Sequence, residues 1–307
     1  HHRILRTWTI DINRSREKRK SFLMIDLFVK WDVSPIIFAL GNIEVRWYGL
    51  FYAIGFLVGI TCIDKGFKHD GAPKGWTDTV FMWMVLATIV GARLGHVFFY
   101  DWDYYSQNLS EIPKIWHGGL ASHGGAIAVV LTSCILSVKL CKQKIWWLGD
   151  RMWLGAPFLA TMIRLGNLMN SEIYGHPTEM PWGFIFVRGE EQFFDAAGNL
   201  LPCHPTQLYE ALAYFITFIV ITVLYWKFNG GKYYGLLTGI GFLGVFVSRP
   251  IIEIFKNNQS AFEADMLGNM GQWLSLPFII LGVFLIVRAI KMGPQEYVLP
   301  KETTKKK

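Results

Sequence analysis

With 307 residues, 52% of them hydrophobic and only 17% charged, and a positive mean hydropathy of +0.30, the chain has the composition of a polytopic membrane protein rather than a soluble domain. Its apolar runs are continuous and lack period-two alternation, which argues against a barrel. The net charge of +7 comes mostly from a basic N-terminal stretch and short loops; it suits an anionic membrane surface, and no nucleic-acid motif accompanies it.

Residues 3–20 carry Arg3, Arg6, Arg14, Arg16, Lys18, Arg19 and Lys20 without an apolar core, so they read as a solvated extension and not as a signal peptide. Met24 opens a more ordinary start, which sets 1–23 apart as an extension outside the fold. Apolar runs follow at about 47–64, 78–100, 119–140, 146–170, 206–226, 233–255 and 271–290, each close to the roughly 20 residues a spanning helix needs. The expected fold is therefore all-α, a single transmembrane domain over 24–292 with about seven spans, ending in a basic tail over 293–307.

Four arginines inside or at the edges of these runs stand out: Arg46, Arg93, Arg164 and Arg249. The other Lys and Arg residues are read as solvated, in tails, in short polar connections or at the ends of runs next to them. A cation near the bilayer centre costs roughly 2.5–3.5 kcal/mol, so each of the four must pair, face a wet cavity or snorkel. Arg46 and Arg93 lie near the ends of their runs, within reach of the headgroups. Arg164 and Arg249 are deeper and are the stronger functional candidates.

In chain order, the first run opens on Arg46-Trp47-Tyr48-Gly49, where Trp47 reads as an interfacial anchor and Tyr48 as an anchor or a site residue. The third run carries His123 among Gly118, Gly119, Gly124 and Gly125, small residues that let a backbone or a substrate approach the imidazole. Neutral histidine takes up a proton near physiological pH, so His123 is a candidate base; a plain helix contact is the alternative. The fourth run closes on Arg164, Asn167 and Asn170, spaced by three and hence on one helix face, with Gly166 between them. Glu172 falls beyond that arc, in the turn, where it could orient Arg164; a hydrogen-bonded interhelical seam is the competing reading. His204-Pro205-Thr206-Gln207-Leu208-Tyr209-Glu210 opens the fifth run, Tyr209 reading as an anchor and Glu210 remaining open. In the sixth run Arg249 and Glu253 are one turn apart and can pair, with Lys256 on the same face and Pro250 bending the helix.

The loops at 65–77, 139–145 and 227–232 and the tail from Arg288 are rich in lysine, whereas the opposite loops hold only Lys114, Arg188 and Lys256. The positive-inside rule then puts the C-terminus in the cytoplasm and the N-terminus outside, with the basic stretch at 3–20 as the one contradiction. Cys62, Cys134, Cys141 and Cys203 show no metal-ligand spacing.

Taken together these pieces resemble the bacterial prolipoprotein diacylglyceryl transferase family. The match runs in order from Trp47 to Ile286: Trp-Tyr-Gly at 47–49, Gly-Ala-Arg-Leu-Gly at 91–95, Gly-Gly-Leu-x-Ser-His-Gly-Gly at 118–125, the signature from Ile163 to Glu172, His-Pro-Thr-Gln-Leu-Tyr-Glu at 204–210, Arg-x-x-x-Glu at 249–253 and Met-Gly-Gln-Trp-Leu-Ser-Leu-Pro at 270–277. Ile163 stands where the signature usually has glycine, Cys203 where an arginine often precedes His-Pro, Pro250 where a bulky residue is usual and Lys256 where a second arginine is common.

The resemblance implies transfer of the diacylglyceryl group of phosphatidylglycerol to the lipobox cysteine of a prolipoprotein signal peptide, at the external leaflet of the bacterial inner membrane, with release of glycerol phosphate. It implies His123 as the base and Arg164 and Arg249 as the phosphate-binding cations, with Glu172 and Glu253 holding them and Tyr48, Gly166, Asn167 and Asn170 shaping the headgroup site. No metal or dissociable cofactor is implied, since the lipid is the donor. A transporter, an intramembrane protease using Ser122 or His123, and a non-catalytic lipid-binding scaffold are the rivals. Against the first two stand the lack of a broken-helix repeat and of a Gly-x-Ser-x-Gly turn.

Overall fold

The structure, a computed structural model, describes residues 28–41, 43–256 and 270–300, without the side chains of residues 117, 122, 123, 270, 271 and 274. The helices among them are α1 (Trp47–His69), α2 (Trp76–Phe99), α3 (Trp102–Gln107), α4 (Ser122–Lys139), α5 (Trp147–Met152), α6 (Ala156–Met169), α7 (Thr206–Phe228), α8 (Leu236–Glu253) and α9 (Met270–Met292). The strands are β1 (Val29–Trp31), β2 (Ile36–Leu40), β3 (Ile43–Arg46) and β4 (Phe184–Phe186).

The protein is a largely helical integral membrane protein. Among the described residues five helices are long and apolar enough to cross a bilayer: α1, α2, α7, α8 and the Ser275–Met292 part of α9. The expected third run yields a shorter apolar helix, Gly124–Lys139, because Gly118 and Gly119 take positive φ values of 84° and 74° and delay the helix start. The expected fourth run is interrupted between α5 and α6 at residues 153–155. The strands lie outside the apolar runs and pair as two small two-stranded sheets, β1 with β4 in parallel and β2 with β3 antiparallel.

The chain divides into two compact units. One comprises 1–53, 161–212 and 249–273; the other comprises 54–160, 213–248 and 274–307. In the first, Leu168, Tyr174, Phe186 and Cys203 form an apolar core against which Trp31 packs, its indole Nε1 donating to the Leu168 carbonyl at 3.0 Å. Every candidate residue except His123 belongs to this unit.

The second unit is held by close helix approach and by buried charge. The backbones of α2 and α4 touch at Gly91, Gly95 and Gly124, and a Cβ on Gly124 would collide with the Gly91 carbonyl. Asp150 of α5 accepts from the Gly235 N–H at 2.7 Å, the Thr238 N–H at 2.9 Å and the Thr238 hydroxyl at 2.8 Å, capping the N-terminus of α8. Arg151, wholly buried, pairs through Nε with Asp70 at 2.7 Å, donates to the Trp147 and Gly231 carbonyls and to the Tyr297 hydroxyl, and lies 4.1 Å over the Trp147 ring. Residues 293–300 join this packing: the Tyr297 hydroxyl donates to Asp70 at 2.7 Å and Gln143 donates to the Val298 carbonyl at 2.9 Å. The ordered fold thus continues past Met292.

Two expectations about cations change here. Arg93 does not reach for headgroups: it is 3% exposed and donates to the carbonyls of Ile112, Gly118, Gly119, Glu111 and Lys114 at 2.5–3.3 Å. The loop between α3 and α4 wraps over it and supplies acceptors in place of water. Arg151 was grouped with the solvated cations and is buried, because Asp70 and the aromatic rings replace its hydration. Arg46, by contrast, is exposed and pairs with Glu44 at 2.8 Å.

Candidate active site

The last turns of α6 and the residue that follows them place Arg164, Asn167 and Asn170 along one wall, as their spacing predicts. Asn167 links that wall: its Oδ1 accepts from Arg164 Nη1 at 3.2 Å, and its Nδ2 donates to Glu172 Oε1 at 2.7 Å. Asn170 Nδ2 donates to the same Glu172 oxygen at 3.2 Å. Glu172 therefore acts on Arg164 through Asn167, and the direct contact expected between them is replaced by this relay.

The turn after α6 is held tightly. Ser171 and Ile173 adopt positive φ values of 53° and 60°, unfavourable for residues with a Cβ and for a β-branched one above all. The start of α7 holds that turn, since Gln207 Nε2 donates to the Glu172 carbonyl at 2.6 Å and the Thr206 hydroxyl donates to that of Ile173 at 2.8 Å.

Arg164 instead pairs with Glu210, whose carboxylate lies at the centre of the charged cluster. Glu210 Oε2 is 2.7 Å from Arg164 Nε, and Oε1 accepts from Lys256 Nζ at 2.9 Å. Lys256 is also 3.8 Å from Glu253 Oε2. The Glu210 side chain is wholly buried and that of Lys256 3% exposed, whereas the Arg164 side chain keeps 16%. Burying such ions is unfavourable unless each has a partner, and removing one would strand the rest. The Arg164 contact is close but off the N–H axis, so Glu210 Oε2, like Glu253 Oε2, Asn170 Oδ1 and Gln207 Oε1, is buried without a directed hydrogen bond among the described residues. All four are acceptors, so the group that would complete them is a hydrogen-bond donor such as a hydroxyl, while the partly exposed Arg164 guanidinium is the part of the cluster open to an anion.

Tyr48 opens α1 and packs on Gly166: a Cβ there would come within 2.7 Å of the Tyr48 ring and 3.3 Å of its Cα. Arg249 is half-buried near the end of α8. It makes no ion pair among the described residues, and Glu253, expected to pair with it, faces Lys256. His123 lies in the first turn of α4, and its side chain is outside the described residues.

Lys256 is positioned by its own backbone. Gly175 bridges to it, His176 N donates to the Phe255 carbonyl at 3.0 Å, and His176 Nε2 donates to that of Ile254 at 2.9 Å. His204 stacks edge-on with His176 at 5.6 Å, and its Nδ1 is 3.1 Å from the Tyr209 hydroxyl. Burial, and then the neighbouring His176, lowers the affinity of His204 for a proton. Among the described residues no three His, Cys, Asp or Glu side chains gather as a metal site.

Glu210 and Lys256 are the two residues whose importance the residue pattern understates. A lone acid inside an apolar helix needs a buried cation, and that requirement was the available signal for Glu210.

Apolar helices of spanning length and a buried cluster of arginine, lysine, carboxylates and amides define a multi-pass membrane protein whose polar site suits an anionic group. Residues 35–288 match the sequence model of the prolipoprotein diacylglyceryl transferases, and the chain belongs to that family. It is 44% identical over 269 residues to the phosphatidylglycerol–prolipoprotein diacylglyceryl transferase of Chloroherpeton thalassium, covering 88% of this chain and 97% of that protein. Proteins of the same name from Porphyromonas gingivalis and Tolumonas auensis are 42% and 40% identical over 275 and 261 residues, covering 88% and 85% of this chain and 97% of each relative.

Proposed function

We infer that this protein transfers the diacylglyceryl group of phosphatidylglycerol to a cysteine thiol of prolipoproteins, the first step of bacterial lipoprotein maturation. Its likeness to curated transferases over most of their length supports the reaction. The observation that carries the site is the Arg164–Glu210–Lys256 cluster with its unfilled polar atoms.

The sulfur attacks the glyceryl carbon that bears the phosphate ester. A C–S bond forms, the C–O bond breaks with its electron pair going to oxygen, and glycerol phosphate leaves. A cysteine thiol, with an ordinary pKa near 8.5, must first lose its proton, and His123 is the base we assign. Arg164 and Arg249 bind the phosphate and stabilise the charge that grows as it departs. Glu210 and Lys256 position Arg164, Glu253 balances Lys256, Glu172 acts through Asn167 and Asn170, and Tyr48 against Gly166 shapes the wall beside the headgroup.

We assign the apolar runs as about seven passes in the inner membrane, the N-terminus outside, the C-terminus in the cytoplasm and the site toward the external leaflet; the lysine-rich loops support this orientation. The transmembrane domain covers 24–292, flanked by 1–23 and by the basic tail 293–307, whose residues 293–300 pack back onto it. The acceptor is the lipobox cysteine of the signal peptide.

The test is to incubate the purified protein with phosphatidylglycerol and a lipobox peptide. A mass gain of one diacylglyceryl unit on the cysteine, with equimolar glycerol phosphate, is expected. Well-folded protein that leaves the peptide unmodified would overturn the assignment.

A further inference from the structure

A cavity that none of the residues assigned to the transfer reaction lines lies in the unit formed by 54–160, 213–248 and 274–307. With a volume of about 390 Å³, it opens between α1, the turn between α5 and α6, and α7, lined by Cys62, Lys65, Leu154, Thr222 and Trp226. Cys62 and Lys65 are three apart on α1, and Thr222 and Trp226 four apart on α7, so each pair forms one wall.

The cavity follows from the way its walls meet. On one side of Cys62 the backbone of Gly59 lies against that of Gly155, where a Cβ on Gly59 would come within 3.3 Å of the Gly155 carbonyl. On the other side the Tyr225 hydroxyl donates to the Gly66 carbonyl at 3.0 Å. Between these two contacts the side chains are small, Cys62 and Thr222, and the space stays open. Both helices are long and apolar enough to span, so the opening faces acyl chains.

The mouth is cationic. Lys65 is exposed and makes no ion pair among the described residues, and exposed Lys227 follows Trp226. The nearby acids are already engaged: Asp64 with Lys68 at 2.5 Å and with Thr77, and Asp70 with Arg151. Trp226 is 45% exposed and meets His69 edge-on at 5.0 Å, an arrangement suited to the depth where chains give way to headgroups. This end of both helices leads into the lysine-rich loops at 65–77 and 227–232.

We propose that this cavity is a binding site for an anionic phospholipid of the bilayer, one acyl chain entering between α1 and α7 and the phosphate resting against Lys65. An apolar cleft with Lys65, unpaired among the described residues, at its rim selects both parts of such a lipid, as basic pockets between spanning helices do. The volume accommodates part of one molecule, so the remaining chain stays in the bilayer. The site uses none of the residues assigned to the transfer reaction.

Cys62 in the wall gives the readout. The full chain in detergent is alkylated with N-ethylmaleimide while phosphatidylglycerol is titrated in, and modification of Cys62 is followed by mass relative to Cys134 in the same molecules. Phosphatidylglycerol should slow Cys62 selectively, and phosphatidylcholine or inorganic phosphate should not. Lys65→Ala should raise the phosphatidylglycerol needed for half protection about five-fold, and Lys65→Arg should preserve it. Protection should persist in Arg164→Ala, which separates this site from the reactive one. Thr222→Cys in a Cys62→Ser background reads the opposite wall in the same way. Equal protection by phosphatidylcholine or by phosphate, indifference to Lys65, or loss of protection with Arg164→Ala would overturn the proposal.

Discussion

Arg151 and Arg164 are both cations in apolar surroundings, and they are treated in opposite ways. Arg151 is wholly buried and filled: a carboxylate, two carbonyls, a tyrosine hydroxyl and an indole face surround it. Arg93 is filled in the same manner, by backbone carbonyls and by the Tyr105 ring 4.9 Å away. Among the described residues Arg164 has one misaligned ion pair and one hydrogen bond, keeps some exposure, and sits among carboxylate and amide oxygens that have no directed donor there. A charge whose bonding capacity is exhausted serves the fold, whereas a charge with capacity left over is prepared for a ligand.

The widest separation of the two roles comes from Arg151→Ala. It strands Asp70 in the protein interior and should lower stability by about 3–5 kcal/mol, read as thermal unfolding in detergent, while turnover per folded molecule is retained. Glu210→Gln is expected to reverse that balance toward catalysis. With the carboxylate gone, Arg164 and Lys256 lose their common anchor, and lipidation per folded molecule should fall about 100-fold. Gly166→Ala drives a methyl into Tyr48 and should reduce turnover about 10-fold with a stability loss of roughly 1–3 kcal/mol. An unaltered rate would remove Tyr48 from the site.

The smallest effect concerns pH. Burial depresses the folded-state pKa of His204 below its ordinary 6.5, so its contribution to stability is present above pH 6.5 and lost as pH falls through the folded value. The melting temperature of the wild type should decline on acidification through that window, and His204→Gln should flatten the decline. An unchanged slope in the variant would assign the acid sensitivity elsewhere.

Several of these features were legible in the residues alone. The starts at Trp47 and Thr206, the apolar runs and the shared face of Arg164, Asn167 and Asn170 follow from helical periodicity, which is a local property. The parallel pairing of Val29–Trp31 with Phe184–Phe186 joins segments far apart in the chain and carries no periodic signal. The ionic partners were misread for the same reason. Arg249 and Glu253 satisfy the one-turn rule, yet Glu253 faces Lys256, and Glu210 gathers cations from two other helices' ends. Spacing along one helix does not weigh competing partners from elsewhere. Arg151 falls among the cations read as solvated, because no local pattern points to its counter-ion, Asp70, far back in the chain.

The most direct measurement is lipidation of a lipobox peptide by Arg164→Ala, with phosphatidylglycerol as donor and the rate normalised to protein that retains the wild-type melting profile. The account predicts a loss of about 100-fold or more in turnover by a folded enzyme. A folded Arg164→Ala that lipidates at the wild-type rate would contradict it, and would move the phosphate site away from the Glu210 cluster.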